Sequence, residues 1–134
     1  MRGFKKIEFK FYIIDFRKEI MQLKHNNVED VLIVRPLEKR IDASTATEFK
    51  QKMNEWIDSG NRRIVLNLSE VDFIDSSGLG AIISGFKKIG NNGNLVICVV
   101  KESVMSLFRL TRMNRVFDIY ASENEALEAL SGKA

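Results

Sequence analysis

Hydrophobic and polar positions along residues 28–131 form blocks of two kinds. Four apolar runs of five to seven residues predict β-strands, and the second and third have the continuous apolar character of strands that are covered on both faces of a sheet. They are VLIVRPL from Val31, IVLNL from Ile64, LVICVV from Leu95 and VFDIY from Val116. Pro36, in the first run, predicts that this strand ends there or lies at an edge of the sheet.

Amphipathic segments with helical spacing separate these runs. In the first segment, Thr45 and Glu48 have the spacing of a capping box, and Gly60 is placed to end the helix. In the second segment, apolar residues recur at i, i+3, i+4 and i+7 from Leu79 to Phe86, which predicts a helix with one buried stripe.

Two shorter helices complete the pattern. Val104, Leu107 and Phe108 mark the third, and Ser122 and Glu125 begin the fourth with a second capping-box pattern. Strands that alternate with helices of about 8–15 residues predict an α/β fold. We expect a mixed, largely parallel β-sheet with about four helices packed on it.

The length of 134 residues is that of a single domain. We expect this domain to span residues 21–134, because the stretch from Met21 makes a natural domain start. Residues 1–20 are then an N-terminal extension or an extra strand, since apolar side chains partly alternate there from Ile7 to Ile13. Trp56 falls among the apolar positions of the first helix, so it is expected in the core rather than on a binding surface.

The cysteine and histidine content limits the kinds of chemical site that the chain can form. Cys98 is the single cysteine and lies in an apolar run, which predicts a buried thiol in a reducing cytoplasm. His25 is the single histidine and the carboxylates do not cluster, so no metal site is predicted. No apolar run approaches the roughly 20 residues that span a bilayer, and no secretory signal is recognisable, so neither a membrane span nor export is predicted.

The net charge of +3 is an N-terminal feature. Residues 1–24 hold seven basic and three acidic residues, whereas the remainder of the chain is close to neutral. This distribution weighs against a nucleic-acid-binding face on the main domain.

The candidate functional residues lie in VDFIDSSGLG, residues 71–80, where a strand leads into the second helix. The serine pair has three interpretations: a catalytic nucleophile, a helix cap, or a site that another protein modifies. A nucleophile needs a base, usually a histidine, and His25 precedes the first clear strand. Ile74 replaces the first glycine of a nucleophile elbow, and no nucleotide-binding glycine loop follows. Neither catalysis nor a cofactor is therefore predicted.

The other two interpretations stay open on these residues alone. Asp75, Ser76 and Ser77 are all favourable N-cap residues, although a cap requires only one of them. Gly78 and Gly80 then leave the adjoining surface without side chains. A serine at this position lies beside unpaired N–H groups and the positive end of the helix dipole, an environment that tolerates a phosphate.

The segment VLNLSEVDFIDSSGLGAIISGFKKI resembles the centre of STAS domains of the anti-sigma factor antagonist family, where a strand leads through D-S-[ST/A]-G-L-G into a helix. RIDASTATEFKQKM is similar to the family's R-[IL]-D-A loop and first helix. NLVICVVKESVMSLFRLTRMNRVFDIYASENEAL is similar to its closing half. The resemblance covers residues 28–131 in order and implies the STAS fold.

The resemblance also implies a protein-binding switch with no catalysis of its own. In this family the antagonist binds an anti-sigma factor, which is also a serine kinase of the histidine-kinase-like ATPase type, and so frees the sigma factor. The kinase phosphorylates the serine that corresponds to Ser76, and a PP2C-type phosphatase restores it. Partner binding is implied for Asp42, Asp75, Ser77, Gly78, Leu79 and Gly80.

Two features depart from the family pattern. A glycine usually stands two residues before the loop "ID", whereas this chain has Lys39 followed by Arg40, a basic pair beside the expected phosphorylation site. The N-terminal extension is also unusual, and a homodimer is compatible with the sequence. The alternative function is a STAS subunit or adaptor of a transport assembly, such as an ABC-type lipid transporter, without serine phosphorylation.

Overall fold

The computed structural model describes residues 21–131 and confirms the predicted α/β class. The strands in this part of the chain are β1 (Leu23–Val28), β2 (Val31–Pro36), β3 (Arg40–Ile41), β4 (Arg63–Asn67), β5 (Phe73–Ile74), β6 (Asn94–Cys98) and β7 (Ile119–Tyr120). The helices are α1 (Ala46–Asp58), α2 (Ser76–Ile89), α3 (Glu102–Leu110) and α4 (Glu123–Ser131). Short 3-10 turns, Gly90–Asn92 and Met113–Arg115, follow α2 and α3. The predicted extension or extra strand, residues 1–20, lies outside the described residues.

Five of the described strands form one mixed sheet in the order β1-β2-β4-β6-β7. β1 is antiparallel to β2, and the other neighbouring pairs are parallel. The sheet is therefore largely parallel, as predicted, and the helices supply the crossovers. A separate parallel pair, β3 and β5, lies outside this sheet.

The two faces of the sheet carry two separate apolar clusters, because successive strand residues point to opposite faces. One face packs against α1, α2 and α3 through fully buried side chains such as Phe49, Ile82 and Phe108. The other face is covered by α4 alone among the described helices, through Ala126 and Leu130. Coverage of both faces explains the unbroken apolar runs of β2, β4 and β6.

The apolar pattern does not predict β1, because its sequence is LKHNNV and five of its six residues are exposed. It pairs with β2 along the full length of both strands, through a hairpin in which Glu29 has φ 56°. β2 ends at Pro36, as one of the two alternatives predicts. It is not an edge strand, because β1 occupies that position.

The predicted capping box at the start of α1 is wrong. The Thr45 hydroxyl oxygen accepts a hydrogen bond from the Asp42 N–H at 3.1 Å, and it makes no side-chain cap bond to α1. The Glu48 carboxylate accepts from the N–H of Met21 at 3.1 Å, so it ties the entering chain to α1. The second predicted box is confirmed in its first half, since the Ser122 hydroxyl oxygen accepts from the Glu125 N–H at 3.1 Å.

Two predicted core positions also have clear outcomes. Trp56 is half-buried against the larger apolar cluster and contacts the His25 ring, with ring centroids 5.0 Å apart. Cys98 is buried, as predicted, and burial, followed by the nearby Glu123 charge, raises the pKa of its thiol to about 12. It is an inert packing residue.

The predicted last strand, VFDIY, is shorter in the structure. Only Ile119 and Tyr120 pair with β6. Phe117 instead enters the core, where its ring meets those of Phe86 and Phe108 edge-on at centroid distances of 5.6 and 5.5 Å. Aromatic packing therefore takes the first part of this segment out of the sheet.

Candidate functional site

The candidate site forms where the short strands β3 and β5 end. These strands are parallel and pair Arg40 with Phe73 and Ile41 with Ile74. The next residues along each strand, Asp42 and Asp75, therefore emerge at the same edge. The family resemblance implies both aspartates as site residues, and the pairing of β3 with β5 brings their two loops together.

Asp75 is the cap of α2 and also a bridge between the two loops. Its Oδ1 accepts a hydrogen bond from the Gly78 N–H at 3.0 Å, which confirms the predicted cap. Its Oδ2 accepts from the N–H of Ala43 at 3.2 Å, in the loop between β3 and α1. One carboxylate thus joins segments that lie 32 residues apart in sequence.

Gly78 and Gly80 meet very different surroundings. A Cβ placed on Gly78 would lie 2.1 Å from the carbonyl oxygen of Ile41, so only glycine allows α2 to begin this close to β3. A Cβ on Gly80 would meet nothing within 4 Å. Gly78 is therefore explained by packing within the chain, whereas Gly80 leaves a bare, exposed patch on α2 that no contact within residues 21–131 requires.

The two serines lie on the surface at the start of α2. Ser76 is the first residue of the helix, and both Ser76 and Ser77 are exposed. The first turn holds no acidic residue, and helix geometry leaves its first N–H groups without carbonyl partners. Leu79 follows them with its side chain 8% exposed, packed in the larger apolar cluster. The surface offered by this turn consists of Ser76, Ser77 and Gly80.

Asp42 is held in place by the residues around it. Its Oδ1 accepts hydrogen bonds from the Ser44 N–H at 3.0 Å and from the Ser44 hydroxyl at 2.6 Å, and its Oδ2 accepts from Arg40 Nε at 3.2 Å. The Ser44 hydroxyl and N–H, and then Arg40, hold the pKa of the Asp42 carboxyl below its usual value. The carboxylate is therefore ionised at neutral pH and fixed in orientation.

Sequence reasoning does not single out Ser44 or Ala43. The signal for Ser44 is its place two residues after Asp42, the spacing at which an aspartate accepts the N–H of a local turn. The bond from Ala43 to Asp75 has no signal in the sequence, because it depends on the pairing of β3 with β5.

Both residues of the basic pair that departs from the family pattern have an acidic partner within the fold. The guanidinium of Arg40 lies over the Phe73 ring, 4.2 Å from its centroid, and also pairs with Asp42. Lys39 Nζ lies 3.9 Å from Asp72, whose other oxygen is bonded to Lys101. The hydrogen bond from the Lys101 ammonium is the main cause of the lowered pKa of the Asp72 carboxyl.

Histidine does not supply a base for a nucleophilic serine at this site. The single histidine of the chain, His25, is on β1 and packs against Trp56 of α1. In the part of the chain that the structure describes, no group of three His, Cys, Asp or Glu side chains is arranged to hold a metal ion. What the site offers is an exposed hydroxyl at a helix N-terminus, directly after the fixed carboxylate of Asp75, which is bonded to the residue that follows Asp42.

Comparisons with known proteins agree with this architecture. A model of the STAS domain family matches residues 21–126. The chain is 33% identical over 112 residues to the anti-sigma F factor antagonist of Paenibacillus polymyxa, a match that covers 82% of this chain and 95% of the relative. It is also similar to the crystal structure of a candidate anti-sigma factor antagonist from Thermotoga maritima, with a TM-score of 0.76, 30% identity, and 81% and 94% of the two chains covered. The predicted STAS fold is confirmed.

A more distant likeness shows the fold alone. The crystal structure of a sulfate transporter family protein from Wolinella succinogenes matches with a TM-score of 0.68 at 14% identity, covering 79% of this chain and 88% of that one. Between residues 21 and 131, each helix is too short or too polar to cross a membrane.

Proposed function

Because the chain belongs to the STAS domain family, we propose that it is an anti-sigma factor antagonist controlled by phosphorylation of Ser76. In this role it binds an anti-sigma factor that is also a serine kinase, and so releases the sigma factor. The kinase phosphorylates Ser76, the modified chain lets go, and a PP2C-type phosphatase resets it. The observation that carries the proposal is the exposure of Ser76 as the first residue of α2.

The position of Ser76 suits a reversible phosphate. The modification adds about −1.5 to −2 charges, and the N-terminal end of a helix favours negative charge through its dipole and its unpaired N–H groups. The 14 residues of α2 are enough for a full helix dipole. Asp75 directly precedes Ser76 and is bonded to the N–H of Ala43, the residue after Asp42, so the added charge also lies near carboxylates that the fold holds in place.

The proposed partner surface extends from the serines to the neighbouring residues. Ser77 and Gly80 would contact the kinase directly, because both are exposed and Gly80 has open space before it. Gly78 and Leu79 would act through the shape of the turn, since both are buried. Asp42 and Asp75 would fix the adjoining loop, through their bonds to Ser44, Gly78 and Ala43.

The effect of a single phosphate on the binding free energy is large enough to reverse binding. An interface fitted to a small hydroxyl would have to bury a dianion without a partner, which costs several kcal/mol. About 1.4 kcal/mol corresponds to a tenfold change in affinity, so the expected weakening is at least about 100-fold. Affinity for the kinase would then depend on the state of one residue.

Binding to the cognate kinase tests the proposal. By calorimetry, Ser76→Ala should bind like the unmodified chain, whereas Ser76→Asp and the phosphorylated chain should bind at least about 100-fold more weakly. Ser77→Ala is the matched control for the site of phosphorylation, because Ser77 is also exposed, one residue further along, and this variant should still accept the phosphate on Ser76. Incubation with ATP should add about 80 Da to the peptide that contains Ser76 and nothing to the Ser76→Ala protein. An unchanged dissociation constant for the phosphorylated chain would refute the proposal.

The proposed role has no catalytic step and needs no cofactor, and it belongs in the cytoplasm, where sigma factors act. The alternative is a STAS subunit or adaptor of a transport assembly. The same incubation separates the two functions, because the alternative requires stable association with a transporter ATPase and no phosphate on Ser76.

A further inference from the structure

A small pocket lies on the face of the sheet that α4 covers, beside the first residue of that helix. Its volume is about 150 Å³, and it is lined by Lys24, Asn26, Ile33, Arg35 and Glu123. Ile33 belongs to the smaller apolar cluster, which places the pocket on the face away from α1, α2 and α3. The proposed switch does not use this pocket.

Two positively charged side chains lie next to each other in the pocket. Lys24 on β1 is directly opposite Arg35 on β2 in the antiparallel register. Opposite residues in such a pair have Cβ atoms roughly 4.5–5.5 Å apart, and like charges at this spacing destabilise the sheet. Both side chains point to the same face as Ile33, because residues two apart along a strand share a face.

Neither cation is neutralised by an ion pair within residues 21–131. Glu123 is the acidic residue that lines the pocket, but its Oε2 accepts a hydrogen bond from Asn67 Nδ2 at 2.6 Å. Its one negative charge offsets only one of the two positive charges. Arg35 is also half-buried, so its charge is less well hydrated than that of an exposed arginine.

We propose that this pocket binds a small tetrahedral oxyanion, either inorganic phosphate or a phosphate monoester, between Lys24 and Arg35. The planar guanidinium of arginine donates two parallel hydrogen bonds to phosphate, and lysine adds a point charge. The amide of Asn26, on the same face as Lys24, supplies a neutral donor. The bound anion turns a repulsive cross-strand pair into a bridged one. This proposal does not depend on the function proposed above.

Thermal unfolding of the full chain tests the site, with phosphate replaced by chloride at matched ionic strength as the reference. Phosphate at ten times its Kd should raise the Tm by on the order of 5 °C. Arg35→Gln and Lys24→Gln should each abolish most of this rise. Lys50→Gln should keep it, because Lys50 is exposed on α1, away from the pocket.

The two pocket variants separate lost binding from failure to fold. Without phosphate, each should melt at or above the Tm of the wild type, because it removes one of two repelling charges. An equal rise in all four proteins, or no rise in the wild type, would overturn the proposal. A larger rise with glycerol phosphate than with inorganic phosphate would assign the monoester.

A final variant excludes an anion supplied by the chain. Glu19 precedes β1 by four residues in the sequence, and the test treats its carboxylate as the competing anion. In the Glu19→Gln protein, the rise with phosphate should equal that of the wild type. A rise confined to this variant would show that the chain fills its own pocket, and would overturn the proposal of an external ligand.

Discussion

Replacing Gly78 by alanine should destabilise the protein, because α2 begins in contact with β3. The added Cβ would lie 2.1 Å from the Ile41 carbonyl oxygen, which also accepts the Asp75 N–H at 3.3 Å. The obstacle is backbone, so the strain is relieved only if the first turn of α2 moves away. That movement gives up the Asp75 cap, worth about 1 kcal/mol, and an inserted methyl group costs roughly 1–3 kcal/mol in strain. The expected loss is about 2–4 kcal/mol.

Gly80→Ala is the matched control, two residues further along the same helix. Its Cβ would meet nothing within 4 Å, and alanine is the better helix former. The substitution should therefore leave the stability unchanged or raise it by about 0.5–1 kcal/mol.

Urea unfolding followed by circular dichroism measures both variants. With a slope of about 2 kcal/mol per molar urea, the middle of the usual range, the Gly78→Ala midpoint should fall by about 1–2 M while the slope stays that of the wild type. Equal midpoints for Gly78→Ala and the wild type, or an equal fall for Gly80→Ala, would show that the contact with Ile41 does not constrain the start of α2.

Three further outcomes are expected. Asp75→Ala should cost about 1–2 kcal/mol in urea unfolding, because Gly78 and Ala43 both lose an acceptor, whereas Asp75→Asn keeps one acceptor oxygen and should lose less. Asp42 has a lowered pKa in the fold, so its contribution is fully present above its unfolded pKa of about 3.9 and disappears as the pH falls through the folded value. Stability measured from pH 6 to pH 2 should accordingly fall less in Asp42→Asn than in the wild type, and parallel curves would contradict the assignment. Cys98 should resist a thiol reagent in the native protein at pH 8 and react in denaturant, because its pKa is raised to about 12, and rapid native labelling would show that the thiol is accessible.

The apolar pattern predicts the buried strands and the helices because burial on both faces leaves a continuous signal in the sequence. It fails for β1, whose pairing with β2 is a backbone property that polar side chains such as Asn26 and Asn27 do not reveal. It also fails for β3, since two residues are too few to show any period, whereas the short strand expected before the second helix is confirmed as β5. These strands nevertheless decide where the candidate site forms.

Within the site, local chemistry is predictable and long-range contacts are not. The Asp75 cap follows from residue type and position. Thr45 fails as a cap because the Asp42 N–H, three residues earlier, takes the same hydroxyl oxygen. The stacking of Arg40 on Phe73 depends on a pairing across 33 positions of sequence, so it becomes visible only in the fold.

The Asp75 carboxylate makes hydrogen bonds to two segments, so a change in its surroundings affects both segments. One oxygen secures the beginning of α2, and the other secures the loop that follows β3. A negative charge on the adjacent residue would repel that carboxylate and weaken both attachments together. The start of α2 and the loop after β3 would then both become less ordered. A partner would meet a changed surface shape rather than one altered side chain.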